Sequence, residues 1–157
     1  MGTFWNPWRI RHMESKQKPT KEMEMKFEKS FGGRENYKPC KLKKDRIGDC
    51  VIRAISHGLN QDYKTTFQDL LNISWEMLDL PNSWVCAEEY LKRNGWIKNK
   101  PMRNSRNRKL KVHQFPTEGT FLIHTTTHLT CIKDGVLLDT WNCKKSSANS
   151  YYTRAVG

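Results

Sequence analysis

The chain of 157 residues contains no apolar run near the ~20 residues that a membrane span needs. Its first residues, Met1-Gly-Thr-Phe-Trp-Asn-Pro-Trp-Arg9, lack the basic-then-apolar layout of a secretory signal. There is no CxxC pair, and the cysteine count is five, an odd number: Cys40, Cys50, Cys86, Cys131 and Cys143. A disulfide framework is therefore not expected, and the chain reads as a soluble, cytoplasmic protein with no membrane partner. Acidic residues are also short in supply, 16 against 28 Lys and Arg, which leaves a net charge of +12.

Aromatics are plentiful, with six Trp, six Phe and five Tyr, and at 36% hydrophobic residues a chain of this length can bury one core. The excess positive charge is confined to two stretches. Residues 1 to 49 hold 13 basic and 7 acidic side chains, residues 98 to 111 hold seven basic and no acidic ones, and the remainder is near neutral. Residues 1–44 read as a basic N-terminal arm, partly extended or weakly helical, and 45–157 as the folded domain. Within the arm a weak helix is expected over Glu22 to Ser30, ended by Gly32-Gly33. Phe4, Trp5 and Trp8 either dock on the domain or anchor the chain to a partner.

The second stretch carries Lys98, Lys100, Arg103, Arg106, Arg108, Lys109 and Lys111, interrupted by Pro101, Ser105 and three Asn. That composition predicts a loop between a helix and a strand, long enough to be mobile or functional. Its charge would neutralise phosphates, so it is the candidate contact for nucleic acid or another polyanion. No aromatic lies between Trp96 and Phe115, so the loop carries no stacking platform for single strands.

In the middle of the chain the apolar period is helical. Asp49 stands where it can cap a helix that begins at Cys50 and is closed by Gly58 and Asn60. A second helix is expected over Gln61–Ile73, with Tyr63, Phe67, Leu70 and Leu71 on one face. A third opens at Ser83 and stops at Asn94-Gly95. Beyond the basic loop the period falls to two, predicting strands at Lys111–Phe115, Thr120–His124, Thr127–Lys133 and Val136–Trp141. Asp134-Gly135 is a hairpin signal. The fold class is therefore α+β, helices first and an antiparallel sheet second.

Cys50 stands apart from the other cysteines because unpaired N–H groups at a helix start favour a thiolate. The same N–H groups suit the oxyanion of a tetrahedral intermediate. Its base must be one of five histidines. His57 lies two turns along the same helix, roughly 10 Å away, too far for a direct bond. His124 and His128 form an HxxxH, but on strands that spacing does not converge on a metal, and no metal or cofactor is expected.

Strand geometry selects His128. With Asp134-Gly135 as a two-residue turn, Lys133 faces Val136 and Thr130 faces Asp139. His128, Thr130, Asp139 and Trp141 then share one face, with Asp139 diagonal to His128 and within reach of its ring. A histidine held by a carboxylate is the orienting arrangement that nucleophilic catalysis requires.

The segments Gly48-Asp-Cys-Val-Ile-Arg-Ala-Ile55, Gly119-Thr-Phe-Leu-Ile-His124, His128-Leu-Thr-Cys-Ile-Lys-Asp-Gly135 and Leu138-Asp-Thr-Trp-Asn142 resemble small papain-like cysteine-peptidase proteins, including ones encoded by bacteriophages. The likeness spans roughly residues 45 to 145. It implies a papain-like fold and a hydrolase acting on a protein or peptide substrate. Carried over by position, it makes Cys50 the nucleophile, His128 the general base and acid, and Asp139 the orienting residue. Many such enzymes place a Gln six residues before the nucleophile to hold the oxyanion, whereas this chain has Lys44 there. Lys44, Arg46 or a backbone N–H is left for that role. The competing expectation is a catalytically inactive viral accessory or virion protein, part of a larger viral assembly, that binds nucleic acid or a host protein through its basic arm and loop.

Overall fold

A computed structural model describes residues 24–38 and 47–155. Within them lie three helices, α1 (Cys50–Gly58), α2 (Tyr63–Met77) and α3 (Trp84–Arg93). Six strands, β1 (Lys26–Lys29), β2 (Trp96–Asn99), β3 (Thr120–His124), β4 (Leu129–Lys133), β5 (Val136–Asp139) and β6 (Ser150–Arg154), form one mixed sheet in the order β1-β5-β4-β3-β6-β2. The chain is α+β. No helix among the described residues is long and apolar enough to cross a membrane.

Strand alternation sorts the sheet residues into two cores. Leu122, Leu129, Cys131 and Tyr152 face Val51, Ile55, Leu70 and Leu91 of the helices. Ile123, Ile132 and Leu137 face the other way. No helix among the described residues covers that second face. It is sealed by Met25, Val112, Phe115, Cys143 and Ala148, with Met102 and Leu110 packed at the margin. Each fully buried Val, Leu or Ile contributes about 1.5–3 kcal/mol.

Three expectations are corrected. Lys26–Lys29 is not helical but a strand, parallel to β5, so part of the expected arm belongs to the sheet and the sheet is mixed rather than purely antiparallel. Its residues are too exposed to show a period, and Phe27 alone is partly buried. Lys111–Phe115 is not a strand, because Val112–Gln114 forms a 3-10 turn closed by the Gln114 side chain on the Lys111 N–H. The Gln61–Ile73 helix starts at Tyr63, on an Asp62 cap, and runs to Met77. It turns Leu70 and Ile73 inward while Phe67 and Leu71 stay exposed. The α3 boundaries fall as expected, with Ser83 Oγ accepting from the Cys86 N–H.

The expected loop over residues 98 to 111 is corrected at its start, since Lys98 and Asn99 belong to β2 and pair with β6, and the rest forms a folded-back loop. Arg103 pairs with Lys109, and the Leu110 N–H donates to Met102 O at 2.9 Å. The Asn104 side chain accepts from the N–H groups of Arg106 and Arg108, both at 3.0 Å. The expected helix from Glu22 to Ser30 begins before the described residues, and Phe4, Trp5, Trp8, Cys40, Lys44 and Arg46 lie outside them.

The turn from β1 towards α1 depends on Gly32. Its φ is +69°, and a Cβ there would stand 2.8 Å from the Arg53 Cα. Neither a left-handed backbone nor that approach suits a side chain. Gly32→Ala should therefore cost about 1–3 kcal/mol, read as a lower urea midpoint. Gly48→Ala, where a Cβ meets nothing within 4 Å, should stay within about 0.5 kcal/mol. Equal stability of the two variants would refute the close-packing role.

Candidate active site

Cys50 is the first residue of α1 and is half-buried. Asp49 occupies the preceding cap position, yet its side chain makes no cap bond, which corrects the expectation for it. Both of its oxygens are engaged elsewhere: Oδ1 pairs with Arg53 one turn along α1, and Oδ2 accepts from the Tyr63 hydroxyl at 2.8 Å. The helix start is satisfied from another element. Asn82, in the turn between α2 and α3, accepts from the Val51 N–H through Oδ1 at 2.9 Å and directs Nδ2 to Cys50 Sγ at 3.7 Å. Sequence reasoning missed Asn82, because its 32-residue separation from Cys50 leaves no periodic signal.

The β4–β5 hairpin delivers the other two groups. Asp134 and Gly135 both have positive φ, 46° and 76°, as a two-residue Asp-Gly turn demands. Lys133 pairs with Val136, Ile132 with Leu137 and Cys131 with Leu138, the register expected from the turn. Asp139 ends β5, and His128 directly precedes β4. His128 Nε2 lies 2.5 Å from Asp139 Oδ2, and the Thr130 hydroxyl donates to the same oxygen at 2.6 Å. Asp139 Oδ1 accepts from the Thr140 N–H at 2.6 Å and stands 3.6 Å from the Arg53 guanidinium. Trp141 lies against the His128 ring, centroids 5.2 Å apart, and is half exposed.

With Nε2 committed to Asp139, Nδ1 is the ring nitrogen left for Cys50. Burial alone raises the Cys50 thiol. Hydrogen bonds with His128, the Leu129 backbone and Asn82, together with the ring's charge, outweigh it and hold the thiol below its ordinary value. Burial likewise disfavours a charged His128, but hydrogen bonds to Asp139, Cys143 and Cys50 and the Asp139 charge win, and the ring is raised. Asp139 is lowered, with its bond to His128 and that ring's charge overcoming desolvation. The Cys50 and His128 directions both favour the charged forms, a thiolate beside an imidazolium. Cys131 shows the contrast: fully buried without such partners, its thiol is pushed up to about 12.

Cys50 and His128 line a cleft of about 610 Å³ together with Lys29, Phe31, Arg34, Thr127 and Trp141. The other described histidines are engaged away from it: His57 with Ser30 Oγ at 2.8 Å, His113 with Lys144 O at 2.9 Å, and His124 tilted against Trp84 with centroids 3.8 Å apart. Of the basic residues singled out at 98 to 111, none lines the cleft.

Among the described residues, one group of three has ligand-type atoms converging within 4.8 Å: His128, Asp139 and Cys143. Its geometry is that of hydrogen bonds. Two ligands on a tetrahedral zinc at about 2.0–2.2 Å would stand roughly 3.3–3.5 Å apart, not 2.5 Å. The Arg53 guanidinium beside Asp139 also opposes a second cation. No family model, curated protein or solved structure matches the chain.

The pKa directions make a test with a defined sign. Only the thiolate alkylates, so iodoacetamide labelling of Cys50, mapped by mass spectrometry, should stay on its plateau as pH falls past the ordinary thiol value of ~8.5. It should decline only below that. In His128→Gln, burial is left to dominate and the midpoint should move upward. A wild-type midpoint at or above the ordinary value, or one unmoved in His128→Gln, would contradict an activated thiol.

Proposed function

We propose that the chain is a papain-like thiol hydrolase that cleaves an amide or isopeptide bond in a protein or peptide substrate. The observation that supports this most directly is the convergence of Cys50, His128 and Asp139 from a helix start, the residue before β4 and the end of β5, beside one cleft. The Cys50 thiolate attacks the carbonyl carbon, forming a C–S bond while the π pair moves to oxygen. The intermediate collapses and expels the amine, which takes the proton from His128 Nδ1. Neutral His128 then draws a proton from water, whose oxygen attacks the thioester, and thiolate leaves to regenerate the pair. Asp139 keeps the ring oriented and stabilises its charge through both halves. No step calls for a metal or cofactor.

Incubation with a complex peptide mixture, read by mass spectrometry for new termini, tests the activity. Wild type should generate termini absent with Cys50→Ala and His128→Ala, and Asp139→Asn should be slower by about 10²–10⁴-fold. Termini no more frequent than with Cys50→Ala would reject hydrolysis.

A second reading rests on a separate surface. The turn held by Asn104 leaves Arg103, Arg106, Arg108 and Lys109 exposed, with no acid within residues 98 to 111. Such a surface suits a polyanion, and a non-catalytic accessory role in binding nucleic acid would use it. Affinity for an unrelated DNA duplex should then fall linearly on a log–log salt plot, and neutralising Arg106 and Arg108 together should reduce the slope by about 2. A slope that the double variant leaves unchanged would remove this surface from consideration.

A further inference from the structure

A thiolate attacking a carbonyl needs donors for the oxygen that becomes negative, and the helix start offers fewer than its position suggests. The Val51 N–H is already taken by Asn82 Oδ1. The Cys50 N–H has no partner among the described residues. Asn82 itself reaches the site from the turn between α2 and α3. Its orientation is fixed by chemistry, since only Oδ1 can receive the Val51 N–H, so the amide nitrogen must face Cys50. Ser83, the next residue, caps α3 and anchors the turn that carries it. Asn82 is also one of the residues that line the cleft.

We propose that Asn82 is a catalytic residue of the hydrolase described above, its Nδ2–H donating to the oxyanion of the tetrahedral intermediate alongside the Cys50 N–H. Nδ2 stands 3.7 Å from Sγ. An oxygen two bonds from that sulfur can come within the roughly 2.7–3.1 Å that an oxyanion donor needs. In the resting enzyme the same N–H leans on the sulfur. As the C–S bond forms, charge leaves sulfur for oxygen, and the donor follows by a small shift with its Oδ1 still anchored on Val51. The interaction strengthens in the transition state, which is the condition for accelerating the reaction rather than only binding substrate.

This assignment rests on the thiol-hydrolase reading, and two reagents separate the two. Iodoacetamide alkylates Cys50 by displacement at a saturated carbon, with iodide leaving and no oxyanion. p-Nitrophenyl acetate acylates it through a tetrahedral oxyanion, with p-nitrophenolate leaving and a thioester formed. Asn82→Ala removes the donor and the Val51 cap together, whereas Asn82→Asp keeps an acceptor for Val51 and replaces the donor by oxygen. Both variants are first compared with wild type by thermal unfolding. Removing one such donor costs about 10²–10³-fold. Acylation at Cys50 should therefore fall by up to that factor in both variants, relative to alkylation measured on the same preparations. Parallel loss of both reactions would reduce Asn82 to positioning the thiol and overturn its role at the oxyanion. If either variant does not fold, the other carries the comparison. A wild-type enzyme that p-nitrophenyl acetate does not acylate at Cys50 would overturn the hydrolase reading and this assignment with it.

Discussion

The buried carboxylate of Asp139 is the constraint around which the site is built. Its side chain is 3% exposed, and an isolated charge there would be costly unless its oxygens were occupied. Four residues from three parts of the chain occupy them. His128 and Thr130 bond Oδ2 from the β4 side, the Thr140 N–H bonds Oδ1 from the chain just past β5, and Arg53 approaches from α1. Cys143 adds a thiol contact at 3.6 Å. Satisfying one charge therefore sets the end of β5 against α1 and fixes the His128 ring in a single orientation. Removing one partner of a buried charge pair typically costs about 3–5 kcal/mol, so the geometry of the site and folding stability are joined at this residue.

Arg53 extends the constraint into the helix. It is buried, pairs with Asp49 and also faces Asp139. Asp49, drawn into that pair and bonded by Tyr63, no longer caps its own helix. The vacant cap on Val51 is filled by Asn82, and this is what brings an amide group to the Cys50 sulfur. A charged residue one turn into α1 thus accounts for a side chain beside Cys50 from a turn 32 residues away. Gly32 belongs to the same chain of causes, because the turn leaving β1 passes against the Arg53 backbone.

What could be read before any coordinates follows from the range over which each signal acts. The Asp134-Gly135 turn determines register locally, so the pairing of β4 with β5, and hence the approach of Asp139 to His128, was available from counting residues. The starts of α1 and α3 were equally local. β1, β2 and β6 were not foreseen. β1 and β2 are four residues each at the two ends of the sheet order, and β6 presents Ser150 rather than an aliphatic residue among its buried positions. Short strands of this kind are stabilised by partners distant in sequence, not by their own pattern. Asn82 fell outside reach for a related reason: in isolation Pro81-Asn82-Ser83 reads as a turn and a helix cap, and its second role exists only once α1 and α3 are adjacent.

The net charge of +12 invites the inference that a basic protein lowers its thiol through a general positive field. The groups that act on Cys50 argue otherwise, since they are His128, the Leu129 backbone and Asn82, all within the site. His128 is in turn governed by Asp139, Cys143 and Cys50. The exposed arginines of the folded-back loop act through solvent, where a Debye length of about 8–10 Å screens them. Their field can bias which partners approach the molecule, while the thiol responds to burial and to the His128, Leu129 and Asn82 groups beside it. A variant that neutralises the loop should therefore alter encounter and leave the Cys50, His128 and Asp139 arrangement unchanged, so the two properties are separable although one chain carries both.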